Sequence, residues 1–104
     1  MKKRYEETAK VFKAFCDENR LMILEMLQGG ERCACELLEE LHIGQSTLSH
    51  HMKILCDSGI VKSHREGKWT YYAINEEGAE LAKQLLVQVT SVCVHSKVRL
   101  GICE

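Results

Sequence analysis

The sequence has no proline, and it shows neither an internal repeat nor a low-complexity stretch, so nothing in it marks a linker. Its 104 residues read as one domain spanning 1–104. No apolar run approaches the roughly 18 residues from which a membrane-spanning helix is read. The first residues are charged (Lys2, Lys3, Arg4, Glu6, Glu7), not apolar as in an export signal. Neither a span nor a signal is expected, and the protein is expected in the cytoplasm. An excess of positive charge is missing as well. A formal net charge of −1 gives nucleic-acid binding no support by itself. There is also no Cys-x-x-Cys beside a βαβ pattern, which argues against an enzyme of thiol exchange.

Sulfur is plentiful. The six cysteines, placed in a reducing compartment, read as thiols for metal or redox chemistry and not as a disulfide framework. Any one of them can equally be a small buried hydrophobe. Charge, although balanced overall, is unevenly spread. From Gln45 to Tyr72, Lys53, Lys62, Arg65 and Lys68 stand against Asp57 and Glu66, a local net charge of +2, with His50, His51 and His64 in addition. The acids lie mostly outside that segment, with clusters in 31–40 and 76–80.

The most informative stretch is Gln45 to Leu55, QSTLSHHMKIL. As a helix it sets Leu48, Met52 and Leu55 in one apolar stripe and Gln45, Ser46, Ser49, His50 and Lys53 on another face. Such side chains can reach base edges and phosphates, and a helix N-terminus favours phosphate. An ordinary amphipathic surface helix has the same pattern. The flanks favour the first reading. Tyr5 to Phe15 reads as a first helix. Asp17 can cap a second, running to about Gln28 with Leu21, Leu24, Met26 and Leu27 as apolar surface, and Gly29-Gly30 ends it. Glu31 to Leu41 is a short third helix, with Leu37, Leu38 and Leu41 inward and Glu36, Glu39 and Glu40 outward. A tight His42-Ile43-Gly44 link into the Gln45 helix completes a helix-turn-helix.

Asp57-Ser58-Gly59 is a stop signal. Ile60 to His64 and Trp69 to Ile74 read as β-strands joined by a basic tip, Arg65-Glu66-Gly67-Lys68, hence a hairpin wing, or else a hairpin that only closes the core. Asn75 can cap a last helix reaching about Lys97, roughly 30 Å long. Its apolar residues, among them Leu81, Leu85, Leu86, Val87, Val89 and Val92, go nearly all the way round, which calls for a partner outside the domain, such as the same helix of a second copy. The expected fold is mainly α: about five helices and a two-stranded wing, homodimeric.

Four segments in order carry a resemblance. They are Phe15-Cys16-Asp17-Glu18-Asn19-Arg20-Leu21, Glu31-Arg32-Cys33-Ala34-Cys35-Glu36-Leu37, Gln45-Ser46-Thr47-Leu48-Ser49-His50-His51, and Gly59-Ile60-Val61 with Arg65-Glu66-Gly67-Lys68-Trp69-Thr70-Tyr71-Tyr72. Together, over roughly residues 5 to 75, the chain resembles the ArsR/SmtB family of winged-helix repressors responsive to metals and metalloids. The resemblance implies a homodimer on a palindromic double-stranded DNA operator, released by an inducer. Gln45, Ser46, Ser49 and His50 would serve the major groove and Arg65 and Lys68 the backbone or minor groove, with Thr47 and Lys53 also among the DNA-binding residues. Three positions depart from the pattern. Glu18 stands where proline is usual, Gly44 where a Ser or Asn cap is common, and Leu38 where some members carry a third cysteine after Cys33 and Cys35. The family's other site, made of Asp, His and Glu on the last helix, would fall near Glu76, Gly78, Val89 and Val92, so it is absent.

Cys33 and Cys35 are therefore the expected sensor ligands, for arsenic(III) or antimony(III) first and cadmium(II) or lead(II) next, since soft thiolates select thiophilic ions. In a regular helix they point about 200° apart, so binding one ion is expected to distort the first turn. The helix N-terminus is expected to lower their pKa. A third sulfur could come from Cys16, Cys93, Cys103 or a small cellular thiol. Cys93 and Cys103 could also form a second soft site. Cys56 is expected to pack, and His51 and His64 to be solvated. Two further classes stay open: a thiol redox sensor with a reversible disulfide, and a winged-helix protein-binding module without DNA affinity.

Overall fold

The structure, a computed structural model, describes residues 2–93. Five α-helices, α1 (Lys2–Lys13), α2 (Glu18–Met26), α3 (Ala34–Leu41), α4 (Gln45–Asp57) and α5 (Glu76–Thr90), surround a small antiparallel sheet. Its strands are β1 (Arg32–Cys33), β2 (Val61–Glu66) and β3 (Trp69–Ile74), in the order β1-β3-β2. Five helices and a hairpin wing are as the sequence leads one to expect. The third strand is not: Arg32 and Cys33, taken from the sequence as helical, pair with Tyr72 and Tyr71.

Local chemistry explains the element ends. Asp17 has an extended backbone, and its carboxylate accepts from the backbone N–H groups of Asn19 and Arg20, which caps α2 without the usual proline. The helix stops at Met26 and tightens into a 3₁₀ turn, Leu27–Gly29, short of the expected Gln28. Its apolar face also differs from expectation: Ile23 is fully buried and Leu21 is 47% exposed. Gly44 caps α4 with backbone alone. The β2–β3 turn needs a positive φ at its first loop position, and Gly67 supplies it at 63°. Helix α5 ends at Thr90, not near Lys97, because Ser91 is extended. There the hydroxyls of Thr90 and Ser91 donate back to the carbonyls of Leu86 and Val87, bonds that compete with the helical ladder.

One core joins these elements. Ala14, Ile23, Leu27, Leu37, Leu48, Met52, Leu55, Ile60, Val61 and Ala82 are its buried members. The predicted α4 stripe of Leu48, Met52 and Leu55 supplies its centre, so the opposite face of that helix is left to solvent. Helix α5 sits hard against the turn after α4: a Cβ at Gly78 would lie 1.8 Å from the carbonyl oxygen of Gly59. Only glycine allows that approach. Beyond this contact α5 exposes Leu81, Leu86, Val87 and Val89. An apolar cleft of about 490 Å³ opens between α1, α2, β3 and α5, lined by Phe12, Phe15, Leu24, Ile74 and Leu86 among others. Among the described residues no helix is long and apolar enough to cross a membrane.

Candidate nucleic-acid interface and thiol pair

Gln45, Ser46, Thr47, Ser49, His50 and Lys53 are all exposed on α4. They follow from burying Leu48, Met52 and Leu55: at 3.6 residues per turn, what lies between those positions faces out. Lys53 pairs with Asp57 one turn on, Nζ to Oδ2 at 3.1 Å, a surface pair that a phosphate could displace at little cost. The structure places Arg65 near the end of β2 and Lys68 in the turn, both exposed, with the Lys68 ammonium 5.4 Å from the centroid of the Trp69 ring. A polar helix face and a basic tip are thus present together on a helix-turn-helix with a wing.

Cys33 and Cys35 lie closer than a helical geometry permits, and the expected misfit is corrected here. Cys33 is not inside α3 but its N-cap, with φ −75° and ψ 147°, and from that extended position its side chain folds over the first turn. The two sulfurs are 2.8 Å apart, and the backbone N–H of Cys35 donates to Cys33 Sγ at 3.4 Å. Glu36 completes a capping box by accepting from the Cys33 N–H at 2.9 Å. Both sulfurs are therefore already turned towards one point, with the Cys33 backbone held by its strand and its cap. Cys33 is buried and Cys35 exposed, which leaves one open approach.

The expected fall in thiol pKa is corrected for Cys35. The hydrogen bond to Cys33 raises the Cys35 thiol, burial adds to it, and the nearby Cys33 charge pushes the same way, since two adjacent sulfurs resist ionising together. Cys16 is elsewhere, exposed beyond the end of α1, its Sγ donating to the Phe12 carbonyl at 3.4 Å. Cys56 packs on the core as expected, and burial raises its thiol despite a hydrogen bond to Ser63. Cys93 is the last described residue and Cys103 lies outside the described residues. Among the described residues no group of three or more His, Cys, Asp and Glu side chains is set to hold a metal ion, on α5 or elsewhere.

A second cluster was not foreseen. His51, expected in solvent, is buried, as is Arg20. The guanidinium donates to the carbonyls of Ala14 and Lys13 at 3.0 and 3.1 Å and to His51 Nδ1 at 3.0 Å. Asp17 Oδ1 stands 3.8 Å from His51 Nε2. The cluster ties the ends of α1 and α2 to α4. The only hint in the sequence is phase: His51 stands i+3 from Leu48 and i−4 from Leu55, on the buried stripe. His64, by contrast, is on the exposed wing as expected, between Glu31 and Glu66.

Known proteins match both the sequence and the shape. Residues 17–63 match the family described as bacterial regulatory protein, arsR family. An HTH-type transcriptional regulator of Methanocaldococcus jannaschii is 45% identical over 82 residues, 77% of this chain and 92% of that protein. The arsenical resistance operon repressor of Staphylococcus aureus is 38% identical over 102 residues, 95% of this chain and 98% of that one. A homodimeric winged helix-turn-helix DNA-binding domain of Mycobacterium bovis, solved by NMR, superposes with a TM-score of 0.67 at 32% identity, covering 80% of this chain and 78% of that domain. With its helix-turn-helix, wing and exposed α4 face, the chain belongs to the arsR family of DNA-binding transcriptional regulators and is not an enzyme.

Proposed function

We propose that the protein is a homodimeric cytoplasmic repressor that binds a palindromic operator and leaves it when Cys33 and Cys35 take up a thiophilic ion. Arsenic(III) or antimony(III) is the first choice, cadmium(II) or lead(II) the next. In this reading Gln45, Ser46, Thr47, Ser49, His50 and Lys53 enter the major groove, and Arg65 and Lys68 meet the backbone or minor groove. The observation that carries the sensing reading is the 2.8 Å separation of two sulfurs, one of them exposed, at the start of the helix that leads into α4. The arsenical resistance operon repressor among the relatives supports the choice of ion. The exposed apolar residues of α5 and the homodimeric relative support the dimer.

The chain's own residues supply the coupling. Cys33 Sγ caps α3, so a soft ion drawing electron density from that sulfur weakens it as the acceptor of the cap. A cap contributes roughly 0.5–2 kcal/mol. Allosteric couplings are typically about 1–3 kcal/mol, so disturbing one cap is of the right size to weaken operator binding. Two sulfurs fill two places of a three-sulfur arsenic(III) site. In the reduced protein the third is left to Cys16, Cys93, Cys103 or a small thiol.

The test is operator-binding anisotropy of the reduced protein titrated with arsenite, antimonite, cadmium, lead and zinc. Cys33→Ser with Cys35→Ser should keep operator affinity and abolish release. If the double variant leaves DNA at the wild-type arsenite concentration, the thiol pair is not the sensor. The same proximity also favours a second reading, a redox switch. Peroxide would join the two sulfurs, each thiol giving up its hydrogen, and itself be reduced to two waters. Mass spectrometry after peroxide treatment, seeking the loss of two hydrogens with release of DNA, separates the readings.

A further inference from the structure

The thiol pair has a direct connection to the wing, through the strand that its own segment forms. Cys33 is paired with Tyr71 between β1 and β3, and Tyr71 with His64 between β3 and β2. Residues opposite each other project from the same face of a sheet, so Cys33, Tyr71 and His64 make one row across all three strands. The row is packed. The His64 imidazole stacks on the Tyr71 ring with centroids 5.4 Å apart and planes 17° from parallel. Carboxylates flank the imidazole, with Glu31 Oε1 3.5 Å from Nδ1 and Glu66 Oε2 3.0 Å from Nε2. Glu31 precedes β1 and Glu66 ends β2, so this clamp joins the thiol segment to the wing a second time.

We propose that the wing is a moving output of the thiol pair, with Tyr71 and His64 as the positioning residues that transmit it. The inference rests on the reading of Cys33 and Cys35 as the inducer's ligands. When those sulfurs take a new partner, β1 shifts with Cys33, the row follows, and the wing tip changes its presentation of Arg65 and Lys68 to DNA. Release then has two routes, one through α3 into α4 and one through the sheet into the wing.

The chain carries its own reporter. Its single tryptophan, Trp69, begins β3 opposite Glu66 and is 47% exposed. In the reduced full chain without DNA, arsenite is titrated while Trp69 emission and the reactive thiols at 33 and 35 are followed together. Emission should change in the wild type and saturate as those thiols are consumed. Tyr71→Thr, which keeps a β-favouring residue, and His64→Ala should consume arsenite at wild-type stoichiometry but lose most of the emission change. In both, the effect of arsenite on operator affinity should shrink by about tenfold, within the usual 5–150-fold span of such couplings. A merely structural role would alter melting and leave the emission response in place. Thiols consumed and DNA released with Trp69 emission constant, or both variants responding as wild type, would overturn the wing route and leave the sensor reading standing. Thiols at 33 and 35 still reactive at saturating arsenite would overturn both, and the thiol count tells the two failures apart. Should Tyr71→Thr not fold, His64→Ala decides the matter alone, since that side chain is half exposed.

Discussion

Arg20 Nη1 lies 3.0 Å from Nδ1 of His51, a bond that spans 31 positions of chain and joins the start of α2 to the middle of α4. A guanidinium can only donate, so Nδ1 accepts and the imidazole proton sits on Nε2, towards Asp17. His51→Ala would leave a buried donor without its acceptor and should cost roughly 1–3 kcal/mol. His51→Gln keeps an acceptor and should lose less. Urea midpoints of the two variants, compared at neutral pH, test the ordering.

The same pair makes stability depend on pH. Burial lowers the His51 pKa below 6.5; Asp17 opposes this, while Arg20 and His50 add to it. In the unfolded chain the imidazole takes a proton as pH falls through about 6.5, while in the folded one it still resists, so the unfolded state binds more protons. Stability should therefore fall as pH drops below that value and level off once the folded-state imidazole titrates. Asp17 acts in a more acid window. Its partial burial raises the carboxyl, but the N–H groups of Arg20 and Asn19 with the charges of His51 and Arg20 bring it below 3.8, so its contribution is lost as pH falls through that lowered value. Unfolding of wild type and His51→Gln across the weakly acid range should show a clear slope for the first and a shallower one for the second.

What could be read in advance, and what could not, divides by distance along the chain. The Asp17 cap, the buried stripe of α4 and the Gly67 turn are local patterns, and each is where the sequence puts it. Cys33 is different: its extended backbone comes from pairing with Tyr71, 38 positions away, and nothing in 31–35 announces that partner. The placement of the two sulfurs, and with it the sign of the Cys35 shift, was out of reach for the same reason. The burial of His51 likewise depends on Arg20, although its phase on α4 gave a usable hint.

Phosphate and base contacts predict different phenotypes. Arg65→Ala and Lys68→Ala should weaken DNA binding on all sequences alike and each reduce the salt dependence, because a charge at the wing mostly meets phosphate. Gln45→Ala and His50→Ala should instead change preference among operator variants, by about 1–3 kcal/mol per lost base contact. Binding isotherms over a salt series on several operators read both effects. The assignment fails if the wing variants alter preference and the helix variants do not.

Self-association should run through α5. Val87, 60% exposed, and Leu86, which lines the apolar cleft, present a surface that one copy does not cover. Sedimentation at micromolar concentration should give a dimer, and Val87→Glu with Leu86→Glu should give monomer that keeps its helical signal. A wild-type monomer would remove the claim.

Cys56 offers the control for the thiols. It packs on the core, so Cys56→Ser should lower stability by about 1 kcal/mol while the arsenite response of DNA binding stays at wild type. Loss of the response with stability intact would move the sensor towards the end of α4.

The contact between Gly78 and Gly59 bears on how sensing can evolve. On the resemblance drawn from the sequence, the family's oxygen-and-nitrogen site on the last helix falls near position 78, which would then have to carry a ligand. Here any side chain would drive its first carbon to 1.8 Å from a backbone oxygen. An oxygen-and-nitrogen site is thus kept out of this scaffold by a steric barrier as well as by missing ligands. Replacing residues at 76, 89 and 92 alone could not cross it. The turn after α4 would have to be rebuilt first, and any gain of such a site must begin there.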